Sequence, residues 1–139
     1  MDVARVMRDE ITPDALVSWV LAADGVPVLY SSASPQSVQA VQAEFGVTAV
    51  AERLDRLFGD LAKALVAAGI ERLVVAGGET SGAVVEALGL TALSMGPEID
   101  PGVPAMRAGP NLTIALKSGN FGADDFFLKA AAVLAGDAG

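Results

Sequence analysis

The 139 residues contain no cysteine and no histidine. Without cysteine there are no disulfides and no thiolate metal sites. Without histidine, a Ser–His or Cys–His nucleophile is excluded. Chemistry is left to carboxylates, lysine, arginine, hydroxyls and backbone amides. Positive charge is scarce too: nine Lys and Arg stand against seventeen Asp and Glu, a net charge of −8. That balance argues against nucleic acid as a partner, because phosphates need a cationic face. It argues equally against an anionic membrane surface. No apolar run reaches the length needed to cross a bilayer, and Met1-Asp2-Val3 does not begin a secretory signal. The expected setting is the cytoplasm.

Small apolar residues are abundant. Hydrophobic residues make up 53% of the chain, much of it alanine and valine. That is enough for a core, and the length suits one domain over residues 1–139. Thr12-Pro13-Asp14 reads as a helix start: a hydroxyl cap, proline in the first position and a carboxylate in the first turn. The helix presents Leu16, Trp19, Val20 and Ala23 for burial and ends at Asp24-Gly25. Val26 to Tyr30 reads as a short strand. Ser34-Pro35 repeats the cap, and Val38, Val41 and Phe45 share the next helical face.

The longest periodic segment runs from Val50 through Leu57 to Val66. Gly59 interrupts it at a cost of about 1 kcal/mol against alanine. Leu73 to Ala76 is a buried strand. Thr80 or Ser81 opens a helix that ends at Gly89. Leu90 to Met95 is a weaker strand, Gly96 to Pro104 a loop by its prolines and glycines, and Leu112 to Leu116 another strand. Asp124 and Asp125 begin a last helix. Residues 1–11 offer no strand. The alternation predicts an α/β fold: a three-layer α/β/α sandwich around a largely parallel or mixed sheet, in a single domain.

Three polar loops follow strands. In GGETSG (Gly77 to Gly82), two glycines allow close approach of a ligand, and a helix start favours an anion. Thr80 and Ser81 either cap the helix or donate to a phosphate. Glu79 suits a ribose hydroxyl, a water or a metal ion, or is simply a first-turn carboxylate. In KSGNFG (Lys117 to Gly122), Lys117 suits a phosphate or snorkels to water. Asn120 suits a left-handed turn, and Phe121 either stacks on a base or packs in the core. In GPEIDPGVP (Gly96 to Pro104), Glu98 and Asp100 could hold Mg²⁺ through water; for Asp100 a solvated turn is the better reading. In an open α/β sheet, ligands sit beyond the carboxyl ends of parallel strands, so parallel strands would bring these loops to one edge.

With these motifs in view, the chain resembles the C-terminal nucleotide-binding domain of the four-carbon acid sugar kinases, the 3-oxo-tetronate, threonate and erythronate kinases. The likeness rests on VVAGGETSGAVVEALG (Val74 to Gly89), GPEIDPGVP and LKSGNFGADDFF (Leu116 to Phe127). YSSASP (Tyr30 to Pro35) is similar as well. The resemblance implies transfer of the γ-phosphoryl of ATP to a hydroxyl of a short sugar acid. It implies that ATP is held by Gly77, Gly78, Glu79 and Thr80 and by Ser118, Gly119 and Asn120, with Gly122 closing the turn; Ser81, Gly96, Glu98 and Lys117 are further candidates from the residues themselves. Glu79 and Glu98 are the candidates for Mg²⁺.

Family members carry a larger N-terminal domain with an aspartate-rich motif for the sugar acid. They also open the nucleotide domain with a strand. Neither is found here. The resemblance therefore implies a nucleotide-binding domain without its acceptor site, whose isolated chain transfers no phosphoryl group and has no assigned catalytic base. The competing expectations are a binding module that works with a separate sugar-acid half, and a non-catalytic remnant that self-associates as a homodimer.

Overall fold

The computed structural model describes residues 1–119 and 122–136. Asn120 and Phe121, both named above, lie outside the described residues. Four helices come first: α1 (Val3–Met7), α2 (Pro13–Ala22), α3 (Pro35–Phe45) and α4 (Val47–Ala67). Strand β1 (Arg72–Ala76), helix α5 (Gly78–Ala87), strands β2 (Ser94–Asp100), β3 (Val103–Arg107) and β4 (Thr113–Lys117), and helix α6 (Phe126–Ala135) follow.

The sheet order is β1-β4-β3-β2. β1 pairs parallel with β4, while β3 is antiparallel to both β4 and β2. Thus β1, β4 and β2 run one way and β3 runs back. Side chains alternate across the strands as a pleat requires. Val74, Ala105 and Ala115 face α6, where they meet Phe126, Ala130 and Leu134. Leu73, Val75, Met106 and Ile114 face the other way, against Ala62 of α4 and Val84 of α5. A sheet buried on both faces between helices is the expected three-layer α/β/α arrangement, with a mixed sheet. Ile114 and Ala115 at its centre are fully buried, as are Leu57 and Phe126. Each large side chain of this kind contributes about 1.5–3 kcal/mol.

The caps at Thr12 and Ser34 form as expected, each oxygen accepting from an N–H three residues on. Gly59 sits at the α4–α5 contact. A Cβ there would lie 3.0 Å from the Ala87 Cβ and 3.3 Å from the Ala83 carbonyl oxygen. The helix-propensity cost of this glycine is offset by the close approach of two helices.

Several expectations are corrected. Residues 26–30 form no strand, and Val26, Val28 and Tyr30 are exposed. Pro27 lacks a donor, and no strand lies alongside to pair with the segment among the described residues. Trp19 is half exposed, and α2 and α3 bury no side chain fully. Residues 1–11 hold a short helix, begun by Asp2, whose carboxylate accepts the Ala4 N–H at 2.9 Å.

The Gly96–Pro104 loop is instead a β-hairpin formed by β2 and β3, and the strand expected at 90–95 falls at Ser94–Asp100. Pro97 is tolerated because β2 is an edge strand, and Pro104 of β3 stands opposite Glu98, where the β2–β3 pairing is irregular. The last helix begins at Phe126, one residue beyond Asp125. None of the helices among the described residues is long and apolar enough to cross a membrane.

Candidate functional site

The three polar motifs meet at one edge of the sheet. β1, β4 and β2 end on the same side, so the turn after β1, the loop after β4 and the tip of the β2–β3 hairpin are neighbours. Hydrogen bonds join them in a row. The Gly77 N–H donates to the Lys117 carbonyl at 2.7 Å, tying the glycine turn to the end of β4. The Ala123 N–H donates to Asp100 Oδ2 at 2.9 Å, tying the second loop to the hairpin tip.

At the glycine turn the chain passes directly from strand to helix. Gly77 is the cap residue, with φ at 108°, a conformation L side chains rarely adopt. The helix therefore opens at Gly78, two or three residues before the expected Thr80 or Ser81. No side chain caps it, and the first intrahelical bond is Ser81 N–H to the Gly77 carbonyl, at 2.9 Å. The amides of Gly78, Glu79 and Thr80 are left without an intrahelical partner, as at any helix start. They line a cleft of about 400 Å³ whose other wall is α4, through Leu54, Asp55 and Phe58, with Ser31 at its rim. Free amides and the positive end of the helix dipole favour an anion in such a place.

Glu79 is exposed in the first turn of α5, on the same cleft. Ser81 behaves differently: its Oγ is buried and has no hydrogen-bond partner among the described residues. Lys117 does not line the cleft. Its ammonium lies 5.9 Å from the Phe126 ring centroid and 3.3 Å from the Gly119 carbonyl oxygen. It is thus folded over its own loop on the α6 side. Gly122, with φ at 88°, makes room for it: a Cβ there would come within 3.0 Å of Lys117 Cε and of the Phe126 ring. Ser118 and Gly119 are exposed at the strand end.

The hairpin residues have structural partners of their own. Glu98 Oε1 accepts the Gly102 N–H at 2.8 Å, closing the tip. A Cβ on Gly96 would lie 2.8 Å from the Ala105 carbonyl oxygen, so the strand contact itself requires glycine. Asp100, expected in a solvated turn, is only 7% exposed. It pairs with Lys129 of α6 and accepts the Ala123 N–H. The Lys129 hydrogen bond, and secondarily that of Ala123, hold its carboxyl below the ordinary range. This anchor was missed because its partners are distant in sequence; the only signal was an aspartate set between a proline and an apolar residue.

Among the described residues no three acidic side chains cluster as a metal cage. The donors present fit Mg²⁺ only as a shared ligand: a single carboxylate, with phosphate oxygens and waters completing the shell.

Comparison with known proteins gives a consistent picture. The family described as the nucleotide-binding C-terminal domain matches residues 1–127. A 3-oxo-tetronate kinase of Brucella melitensis is 46% identical over 134 residues, covering 94% of this chain and 31% of that protein. One from Pseudomonas savastanoi pv. phaseolicola is 53% identical over 113 residues, covering 80% of this chain and 26% of that protein. A crystal structure of Haemophilus influenzae protein HI1011 superposes with a TM-score of 0.88 at 36% identity, covering 96% of this chain and 34% of that one. The chain thus spans about a third of the length of the curated relatives it matches.

Proposed function

This chain belongs to the nucleotide-binding C-terminal domain family, and on that premise we propose that it holds ATP as the phosphoryl donor of a sugar-acid kinase. One observation supports this above the others. The uncapped amides of Gly78, Glu79 and Thr80 open α5 directly after a parallel strand and line a cleft. On this reading they bind phosphate oxygens, with Gly119 and Ser118 contributing from the loop after β4 and Ser81 by turning its hydroxyl outward. Gly122 shapes that second loop, and Gly96 keeps the two strands of the hairpin close.

Lys117 stands at the neighbouring strand end, folded over its own loop, and on this reading swings toward the phosphates to compensate their charge. The cleft carries two carboxylates, Asp55 and Glu79, so an uncomplexed triphosphate would be repelled. Mg²⁺ would be held from Glu79, with Glu98 of the hairpin the other candidate, and would neutralise the charge that develops as the γ-phosphoryl leaves. The acceptor, a four-carbon sugar acid, is the substrate class that the names of the relatives suggest. Its site and the base for its hydroxyl belong to the two-thirds of the relatives that this chain does not span. The isolated chain then binds ATP without transferring its phosphoryl group. The place of action is the cytoplasm, where ATP is available.

Calorimetric titration with ATP·Mg²⁺ tests the reading. Gly78→Asp keeps the helix start, since an acidic first turn suits the dipole, but sets a negative charge before the amides. It is expected to weaken binding tenfold or more, and Lys117→Ala several-fold. No binding by the unaltered chain at millimolar ATP sinks the proposal. Unchanged affinity in both variants moves the site elsewhere. Steady turnover of threonate by the chain alone contradicts the division of labour.

A further inference from the structure

The cleft at the glycine turn does not end there. A second one, of about 430 Å³, adjoins it, and both are lined by Ser31, Ala51 and Leu54. Together they make one trough along α4, from the start of α5 toward α3. Each volume falls in the range of small-molecule sites. Beyond Leu54 most lining residues are apolar, with Val38 and Val41 of α3 opposite α4; Asp2, Ser37 and Gln42 are the polar side chains there.

Asp55 stands out in this setting. Ala51, Leu54, Asp55 and Phe58 follow i, i+3, i+4, i+7 spacing, one stripe of α4 facing the trough. Three of the four are apolar and the fourth is a carboxylate. Asp55 is half-buried, and among the described residues it forms no salt bridge and accepts no side-chain hydrogen bond. A partly desolvated carboxylate without a partner costs free energy, and nothing in the packing of the fold repays it.

We propose that this trough seats the nucleoside half of the nucleotide, with the base between α3 and α4 and Asp55 accepting hydrogen bonds from the ribose hydroxyls. The inference rests on the nucleotide reading above and extends it. The order of groups along the trough matches the order along a nucleotide: amides at the helix start, then a carboxylate, then walls that are mostly apolar with a few polar side chains, Gln42 among them, for a base. An ionised carboxylate has two oxygens for a vicinal diol and no proton to donate. It therefore selects ribonucleotides over 2′-deoxynucleotides.

Calorimetry with the Mg²⁺ complexes of ATP, 2′-deoxyATP and tripolyphosphate separates the parts. The unaltered chain is expected to bind ATP about tenfold tighter than 2′-deoxyATP, the loss of one charge-assisted hydrogen bond, and to bind tripolyphosphate more weakly still. Asp55→Asn is expected to weaken ATP about tenfold and to shrink its advantage over 2′-deoxyATP, while tripolyphosphate binding holds or improves. Ala51→Trp fills the trough from an exposed helix position that tolerates it, and is expected to reduce ATP to the level of tripolyphosphate. Circular dichroism confirms that both variants are folded. If the unaltered chain binds ATP and both folded variants bind it equally well, this proposal is overturned while the phosphate site stands. If the unaltered chain binds neither ATP nor tripolyphosphate, the nucleotide reading itself fails.

Discussion

Asp100 at the tip of the β2–β3 hairpin is ion-paired with Lys129 on the first turn of α6, across the loop that follows β4. Because Asp100 also takes the Ala123 N–H, one carboxylate fixes the hairpin, the loop and the helix to one another. The exposed end of the candidate site is thereby anchored to the core, where Ile99 and Val103 on either side of the tip pack against α6.

Asp100→Asn is expected to lower the melting temperature by several degrees at neutral pH. The Asp100 carboxyl is held below its ordinary value by the Lys129 hydrogen bond first and the Ala123 N–H second. A depressed acid stabilises the fold above its unfolded value, about 3.9, and loses that contribution as pH falls through the folded value. Lys129, raised chiefly by the hydrogen bond to Asp100, contributes below about 10.4 and loses its contribution as pH rises through its folded value. The stability gap between the unaltered chain and the variant should therefore be flat from about pH 5 to 9 and close toward pH 3. Urea midpoints across that range decide it; a gap as wide at pH 3 as at pH 7 would show that the ion pair is not its source.

Gly59 gives a second expectation. The Ala83 carbonyl and the Ala87 methyl already crowd the place of a Cβ, so Gly59→Leu must push α5 away from α4 at a cost of about 1–3 kcal/mol. The neighbouring Asp60 is exposed, and Asp60→Leu should stay within about 0.5 kcal/mol. Denaturant unfolding of both measures the contrast. Equal effects would mean that α4 and α5 are not in close contact here.

What the sequence disclosed and what it hid follow one physical division. α4, β1 and the glycine turn were legible because local signals determine them: a 3.6-residue apolar period, a β-branched run and a glycine pair at a strand end. The hairpin was not. Its prolines and Gly102 are the marks of a loop, and β3 is a strand because it pairs on both sides, with β2 and with β4 from a later segment. The run at residues 26–30 erred the other way, since strand-like composition forms no strand without a neighbour to pair with. Asp100 was read as solvated because its main partner lies twenty-nine residues along. Asp55 drew no notice: a charged residue every few positions is normal on a helix, and only the trough distinguishes it.

Gly96 tests the hairpin. The Ala105 carbonyl oxygen stands 2.8 Å from where a Cβ would be, and backbone cannot swing aside as a flexible side chain can. Gly96→Ala is expected to cost about 1–3 kcal/mol and to speed amide exchange in β2 and β3. Gly78 has open space at the same test, so Gly78→Ala should change stability by no more than about 0.5 kcal/mol. A fully stable Gly96→Ala variant would show that the strands are not so close.

Ser81 carries the last expectation, because it separates folding from binding at one atom. Its Oγ is buried and, among the described residues, unpaired, and an unsatisfied buried polar group costs about 1–3 kcal/mol. Alanine removes that burden and is the better helix former, so Ser81→Ala should raise stability without nucleotide by about 1 kcal/mol. A hydroxyl that turns toward a phosphate recovers its hydrogen bond only when the nucleotide is bound. The rise in melting temperature caused by ATP·Mg²⁺ should accordingly be smaller in Ser81→Ala than in the unaltered chain, since ligand stabilisation follows affinity. A variant that gains stability and keeps the full ATP-induced rise would leave Ser81 a packing residue outside the site. A variant that loses stability would show that the hydroxyl already has a partner in the folded chain.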